Sequence, residues 1–134
     1  MSVTDKSTCE RIRNLNDAFR RTLNPRLGRV VLTAGVNALL SELRATAIRR
    51  VATFDAFNDD NDLYGEHDFG SFDLAGDKFF FKLDYYDPSL EAGSDDPADP
   101  AKTTRVLTLM LAEEYLDMLE NRHYISVLMS CPHL

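Results

Sequence analysis

Two apolar runs flank Ala75-Gly76-Asp77, and this pattern constrains the fold more than any other stretch of the chain. The runs, 68–74 and 78–86, are rich in Phe and Tyr, residues that suit a half-buried pleated surface. A Gly-Asp pair between them suits a two-residue hairpin turn, because Gly tolerates positive φ. With Gly76 and Asp77 as the turn, Ala75 faces Lys78, Leu74 meets Phe79, Phe72 meets Phe81, Gly70 meets Leu83 and Asp68 meets Tyr85. The other face then pairs Asp73 with Phe80, Ser71 with Lys82, Phe69 with Asp84 and His67 with Tyr86. Side chains alternate along a strand, so a one-residue slip would exchange the two faces. The first set reads as core. The second gathers His67, Ser71, Lys82, Asp84 and Tyr86, a candidate site.

Elsewhere the signals are local. Ser7-Thr8-Cys9-Glu10 matches a capping box, and Ile12, Leu15 and Phe19 recur at helical spacing. They predict a helix over 8–22 whose outer face carries Arg11, Arg13, Arg20 and Arg21. Asn24-Pro25 ends it, since the residue before Pro is pushed out of the α region. Residues 29–33 read as a short strand, 36–40 as a helical turn or loop, and Ser41 as the cap of a second helix bearing Leu43, Ile48 and Val51. Asp99-Pro100 is a strong helix start, and Val106, Leu107, Met110, Leu111 and Leu119 supply an apolar stripe. Residues 100–120 are therefore expected to form the longest helix. The loop at 87–99, rich in Pro, Asp and small residues, reads as mobile.

The expected architecture is α+β: a small antiparallel sheet, the hairpin plus 29–33, packed against three helices. One domain should span 1–134, with 1–7 and 121–134 peripheral. The apolar segment 124–129 reads as an edge strand or a homo-oligomer interface. No apolar run reaches the roughly 20 residues that cross a bilayer, and the charged first residues lack a signal-peptide core. A cytoplasmic location away from membranes is the expectation. Cys9 and Cys131 lack histidines at ligand spacing and read as thiols, not as a zinc site.

Net charge is −7, unevenly placed. Residues 1–50 hold ten Lys/Arg against four Asp/Glu, a balance of +6; residues 51–134 hold five against eighteen, a balance of −13. The acidic half repels phosphate backbones and argues against direct nucleic-acid binding, but it permits a basic protein partner. Asp60-x-Asp62-x-Tyr64-Gly65 echoes the start of a calcium loop, yet the twelfth position is Ser71 where a bidentate Glu is needed. No metal or cofactor is expected from that stretch. Glu66, His67, Lys82 and Asp84 supply the residue types of a divalent-metal hydrolase, without a recognised spacing. Phe80 faces away from the core in the expected register, so either a second layer covers it or it awaits a partner.

Residues 29–33 with Gly35-Val36, Phe54-Asp55-Ala56-Phe57, Asn61-Asp62, Tyr64 to Gly70, Lys82 to Asp87, Asp96 to Pro100 and Thr103 to Thr108 together resemble a proteobacterial domain-of-unknown-function family, number 3768. The likeness covers about residues 11–115. Leu63 departs from the family's pattern, which places Pro after Asn-Asp. The resemblance implies an accessory protein of plasmids and integrated elements, whose neighbours serve transfer or protection from host defence. It implies no catalytic residues.

The reading that joins these observations is a non-enzymatic, acidic protein-binding module encoded by a mobile element. Its binding residues would be Asp59, Asp60, Asp62, His67, Phe80, Tyr86, Asp95 and Asp96. The partner would be a basic host protein, a nucleic-acid-processing enzyme such as a defence nuclease. The alternatives are a metal-assisted hydrolase acting on nucleic acid or a nucleotide, and a structural homo-oligomer.

Overall fold

The computed structural model describes residues 3–120. Helix α1 (Val3–Thr22) leads into strand β1 (Gly28–Leu32), a one-turn helix α2 (Ala34–Asn37) and helix α3 (Ser41–Thr53). A long loop then reaches the hairpin of β2 (Phe69–Leu74) and β3 (Asp77–Tyr86). A 3-10 turn (Pro100–Lys102) precedes β4 (Thr104–Leu111), which runs directly into α4 (Ala112–Glu120). The class is α+β, a four-stranded mixed sheet in the order β1-β4-β3-β2. β1 lies parallel to β4, and the other pairings are antiparallel.

The largest departure from expectation is β4. Asp99 does cap, accepting from the Ala101 amide with Pro100 next in line, but the helix it starts is only three residues long. The stretch 104–111 is then a strand, not the first half of a helix. Val106, Leu107, Thr108, Leu109 and Met110 are all buried, because β4 is an inner strand. A run apolar on both faces carries no period of two, so spacing alone cannot separate it from a buried helix. Consequently 29–33 does not join the hairpin; β4 lies between them.

The hairpin turn also falls one residue earlier than expected. Leu74 pairs with Asp77, and the two turn residues are Ala75 at φ +54° and Gly76 at φ +87°. Positive φ at both positions is the turn whose twist matches the strands. The register moves by two residues, Phe72 opposite Phe79 and Gly70 opposite Phe81. A shift of two preserves the faces. Phe72, Phe79, Phe81 and Leu83 are accordingly buried, together with Leu107 and Leu109 of β4, Phe19 of α1, and Ala47 and Val51 of α3.

Two helix starts are corrected. α1 begins at Val3, so Ser7 lies inside it, and Leu40 occupies the cap position of α3 while Ser41 is its first residue. Arg20, assigned to the solvent face, is 1% exposed. Its guanidinium donates to the carbonyls of Val51 (2.8 Å), Ala52 (3.3 Å) and Phe54 (2.8 Å), closing the C-terminal end of α3. It also bonds Asp17 at 3.1 Å, so the buried charge is paired and hydrogen-bonded.

On the sheet's other face, Tyr115 of α4 meets Phe80 edge-on at 5.4 Å and Phe69 at 5.7 Å. Phe80 is thus covered by a second layer. Glu114 ties that layer down: its carboxylate accepts from the Thr33 hydroxyl (2.6 Å), the Gly35 amide (2.9 Å) and the Leu111 amide (3.0 Å). These bonds fasten the starts of α2 and α4 to each other. No helix among the described residues is long and apolar enough to cross a membrane. The segment 124–129 and Cys131 lie outside the described residues.

Candidate functional site

His67 does not face Tyr86. Its backbone sits at φ +56°, a left-handed conformation unusual for a residue other than Gly, just before β2 begins. That twist carries the ring to the helix side of the sheet. There it stacks on Phe57, with centroids 3.9 Å apart and planes 3° from parallel. Nδ1 bonds the Asp17 carboxylate at 2.9 Å, and Nε2 lies 3.6 Å from Asp62 Oδ2. Asp62 also accepts from the His67 backbone amide at 3.0 Å. Both ring nitrogens therefore meet carboxylates, and neither faces a nucleophile.

A second polar node lies beside this one. Asn16 of α1, fully buried, donates to the Glu66 carbonyl (2.9 Å) and the Tyr85 hydroxyl (2.8 Å). It accepts from Arg105 Nε at 2.7 Å, and Arg105 also reaches the Pro97 carbonyl. Tyr85 in turn donates to Glu66 Oε1 at 2.9 Å. Burial raises the Glu66 carboxyl above its ordinary range, with Asp68 and Asp62 adding to the effect against the Tyr85 bond. Asp68 is raised as well, again chiefly by burial. Burial also raises the Tyr85 hydroxyl, pushes Tyr86 up to about 12, and lowers Arg105.

Together the two nodes hold the loop 58–68 against α1. The loop braces itself further. Asn58 Oδ1 accepts from the amides of Asp60 (2.9 Å) and Asn61 (3.1 Å), while Asn61 bonds back to the Asn58 amide and the Ala56 carbonyl, each at 2.9 Å. Such side-chain mimicry of backbone turns explains the choice of Asn. At the crest stand Leu63 and Tyr64, 78% and 64% exposed, with Asp59 and Asp60 exposed beside them. Leu63 and Tyr64 thus form an adjacent apolar pair held outward on a braced loop, while Leu40, Leu116 and Leu119 are exposed elsewhere on the described surface.

The residues singled out from sequence divide as follows. Asp59, Asp60 and Asp95 are exposed and Asp96 is half-buried, whereas the Asp62 side chain is only 6% exposed and bonds His67. With Asp62 turned inward and Ser71 in β2, the calcium-loop echo does not close. Among the described residues, no group of three or more His, Cys, Asp or Glu is placed to hold a metal ion. The hydrolase quartet is split across the sheet. Glu66 and His67 face α1, while Lys82 and Asp84 pair with each other at 2.9 Å on the opposite face, the face of Thr108 and Val106. Tyr86 is half-buried on that same face.

The loop 87–99 lies at the same end of the sheet, where β2 starts, β3 ends and β4 starts. Expected to be mobile, it is instead pinned. Gly93 bridges Tyr86, the Ser94 amide donates to the Tyr85 carbonyl at 3.0 Å, and the Ser94 hydroxyl lies 2.7 Å from that of Thr103. The two acidic loops thus flank the Asn16–Tyr85–Arg105 node from either side. Sequence reasoning missed Asn16, Asp17, Leu63, Tyr64 and Arg105. The available signals were polar residues at 16 and 20, four and eight positions after Ile12 and so on its helix face, and an apolar pair inside an acidic run.

Residues 32–114 match the family described as Protein of unknown function (DUF3768). That span is more than half of the chain, and the protein belongs to this family. No curated protein and no solved structure matches it.

Proposed function

We propose that this protein is a binding module that docks onto a basic protein through the crest of the 58–65 loop. The observation that carries the reading is the exposed Leu63–Tyr64 pair, on a loop already fixed in shape that also exposes Asp59 and Asp60. Tyr combines a large apolar ring with a polar tip and dominates many interfaces. A loop that is ordered before binding loses little conformational entropy on docking. Asp59 and Asp60, with Asp95 across the same end, complement a basic rim and would steer its approach. Asp62 and His67 shape the loop from beneath and do not themselves meet the partner.

A basic surface with an apolar pocket is common on enzymes that process nucleic acid. That class suits the mobile-element setting implied by the family resemblance, with the module acting to protect the element from a host defence nuclease. The hydrolase reading loses its geometry, since its four residues lie on two faces of the sheet.

The test is quantitative capture from a host extract, comparing wild type with Leu63→Ala/Tyr64→Ala and with Asp59→Lys/Asp60→Lys. Retention of one basic protein by wild type, and its loss from both variants while the fold is intact, is the expected outcome. Equal retention by all three proteins would reject the docking crest.

A further inference from the structure

We propose that the cleft between the α1–β1 connection and the start of β4 binds a small phosphate-bearing anion. It is lined by Arg26, Gly28, Arg29, Thr103 and Thr104, with a volume of about 170 Å³. A water occupies roughly 30 Å³ in the liquid, so the cleft has room for a phosphate group with its closest waters.

The cleft is shaped by close packing of its floor. A Cβ on Gly28 would sit 2.7 Å from both the Arg105 carbonyl and the Phe19 ring. Only glycine lets β1 approach β4 and the Phe19 ring this closely. Asn24 fixes the rim, accepting from the Arg26 amide through its side chain (3.0 Å) and from the Leu27 amide through its carbonyl (2.9 Å).

The charges supply the chemistry. Arg13, Arg20, Arg44, Arg50 and Arg105 all donate to protein carbonyls. The Arg26 and Arg29 guanidiniums have no such bond and no ion pair among the described residues, and both are exposed. The Lys102 ammonium, next to Thr103, is likewise without a carboxylate. In the loop before β4, Asp96 accepts from the Ala98 amide and Asp99 from the Ala101 amide. No carboxylate lines the cleft. Two guanidinium forks lining one cleft can give an oxyanion directional, charge-assisted bonds that a lone ammonium does not. The acidic loops at this end of the sheet repel a long polyanion, so a free phosphate or the phosphate of a mononucleotide is favoured over a nucleic-acid strand.

The experiment is calorimetric titration of the full chain, at fixed ionic strength, with inorganic phosphate, AMP, acetate and a short single-stranded DNA. Phosphate and AMP are expected to bind at one site per chain, with acetate much weaker. Arg26→Ala and Arg29→Ala should each weaken phosphate by roughly tenfold, and Arg29→Lys should recover only part of the loss. Arg49→Ala, which removes an exposed guanidinium on α3, should leave binding unchanged. Unfolding midpoints of the variants, equal to that of wild type because both side chains are exposed, exclude misfolding. Absence of phosphate binding at millimolar concentration, or an equal loss in Arg49→Ala, would overturn the proposal. So would far tighter, steeply salt-dependent binding of the DNA strand, which would mark a backbone reader.

Discussion

The imidazole of His67 lies flat on the ring of Phe57, 3.9 Å away, while Phe57 packs edge-on against Phe54. This stack joins the acidic loop to the core. Through Asp17 it also joins the loop to α1, in the turn where Arg20 closes the end of α3. The crest at Leu63 and Tyr64 is thus held by a polar and aromatic base, and the two layers should respond differently to mutation.

Tyr64→Ala removes a side chain that is 64% exposed, so its effect on the urea midpoint should be within about 0.5 kcal/mol of zero. His67→Ala removes the stack and one partner of Asp17, and should cost about 1–3 kcal/mol. Both should weaken partner capture. A Tyr64→Ala variant as unstable as His67→Ala would mean that the crest is part of the core.

Asn16→Ala should be among the most damaging polar changes. It strands the Arg105 Nε and the Glu66 carbonyl, and it takes from the Tyr85 hydroxyl oxygen the amide that donates to it. With each buried unsatisfied group costing about 1–3 kcal/mol, a loss of about 3 kcal/mol or more is expected in chemical denaturation. A loss under about 1 kcal/mol would show that water replaces the Asn16 side chain.

The pH dependence of stability follows from the buried carboxyls. Glu66 and Asp68 are held above their ordinary values of 4.5 and 3.8, in both cases first by burial. A group whose pKa is higher in the folded state stabilises the fold while protonated. Its contribution is complete below the unfolded pKa and is lost as pH rises through the folded one. The urea midpoint should therefore fall, from these groups, as pH rises from about 4 toward 7. Glu66→Gln, neutral throughout, should flatten part of that fall. Superimposable wild-type and variant profiles would contradict it.

Ala75 occupies the first turn position at φ +54°, a left-handed conformation that costs an L-residue with a Cβ about 1–2 kcal/mol. Asn accepts this geometry readily, and Asn-Gly is the favoured pair for such a turn. Ala75→Asn should raise stability by about 0.5–1 kcal/mol, read as a higher melting temperature. A lower one would show that the turn changes type.

How much of this was legible follows from where each signal lives. The hairpin faces were, because alternation survives a two-residue register shift, although the turn itself sits at Ala75-Gly76 and not Gly76-Asp77. β4 was not, because burial on both faces erases the period that marks a strand, and a true Asp-Pro helix start stands just before it. The His67 site was not, since a left-handed residue ahead of β2 reverses the face that alternation assigns. Asp62 illustrates the limit for the acidic loop. Its neighbours at 59 and 60 face solvent, while its own side chain is drawn inward by an imidazole that sequence spacing places elsewhere.

The most direct measurement replaces Tyr64 with a photo-reactive phenylalanine derivative and irradiates the protein in host cells. The same probe at Asp77, on the far end of the hairpin, serves as the reference. The expected result is a single cross-link to a basic protein from position 64, absent from position 77 and lost on adding Asp59→Lys/Asp60→Lys. Cross-links of equal yield from both positions, or none from position 64, would contradict the docking crest.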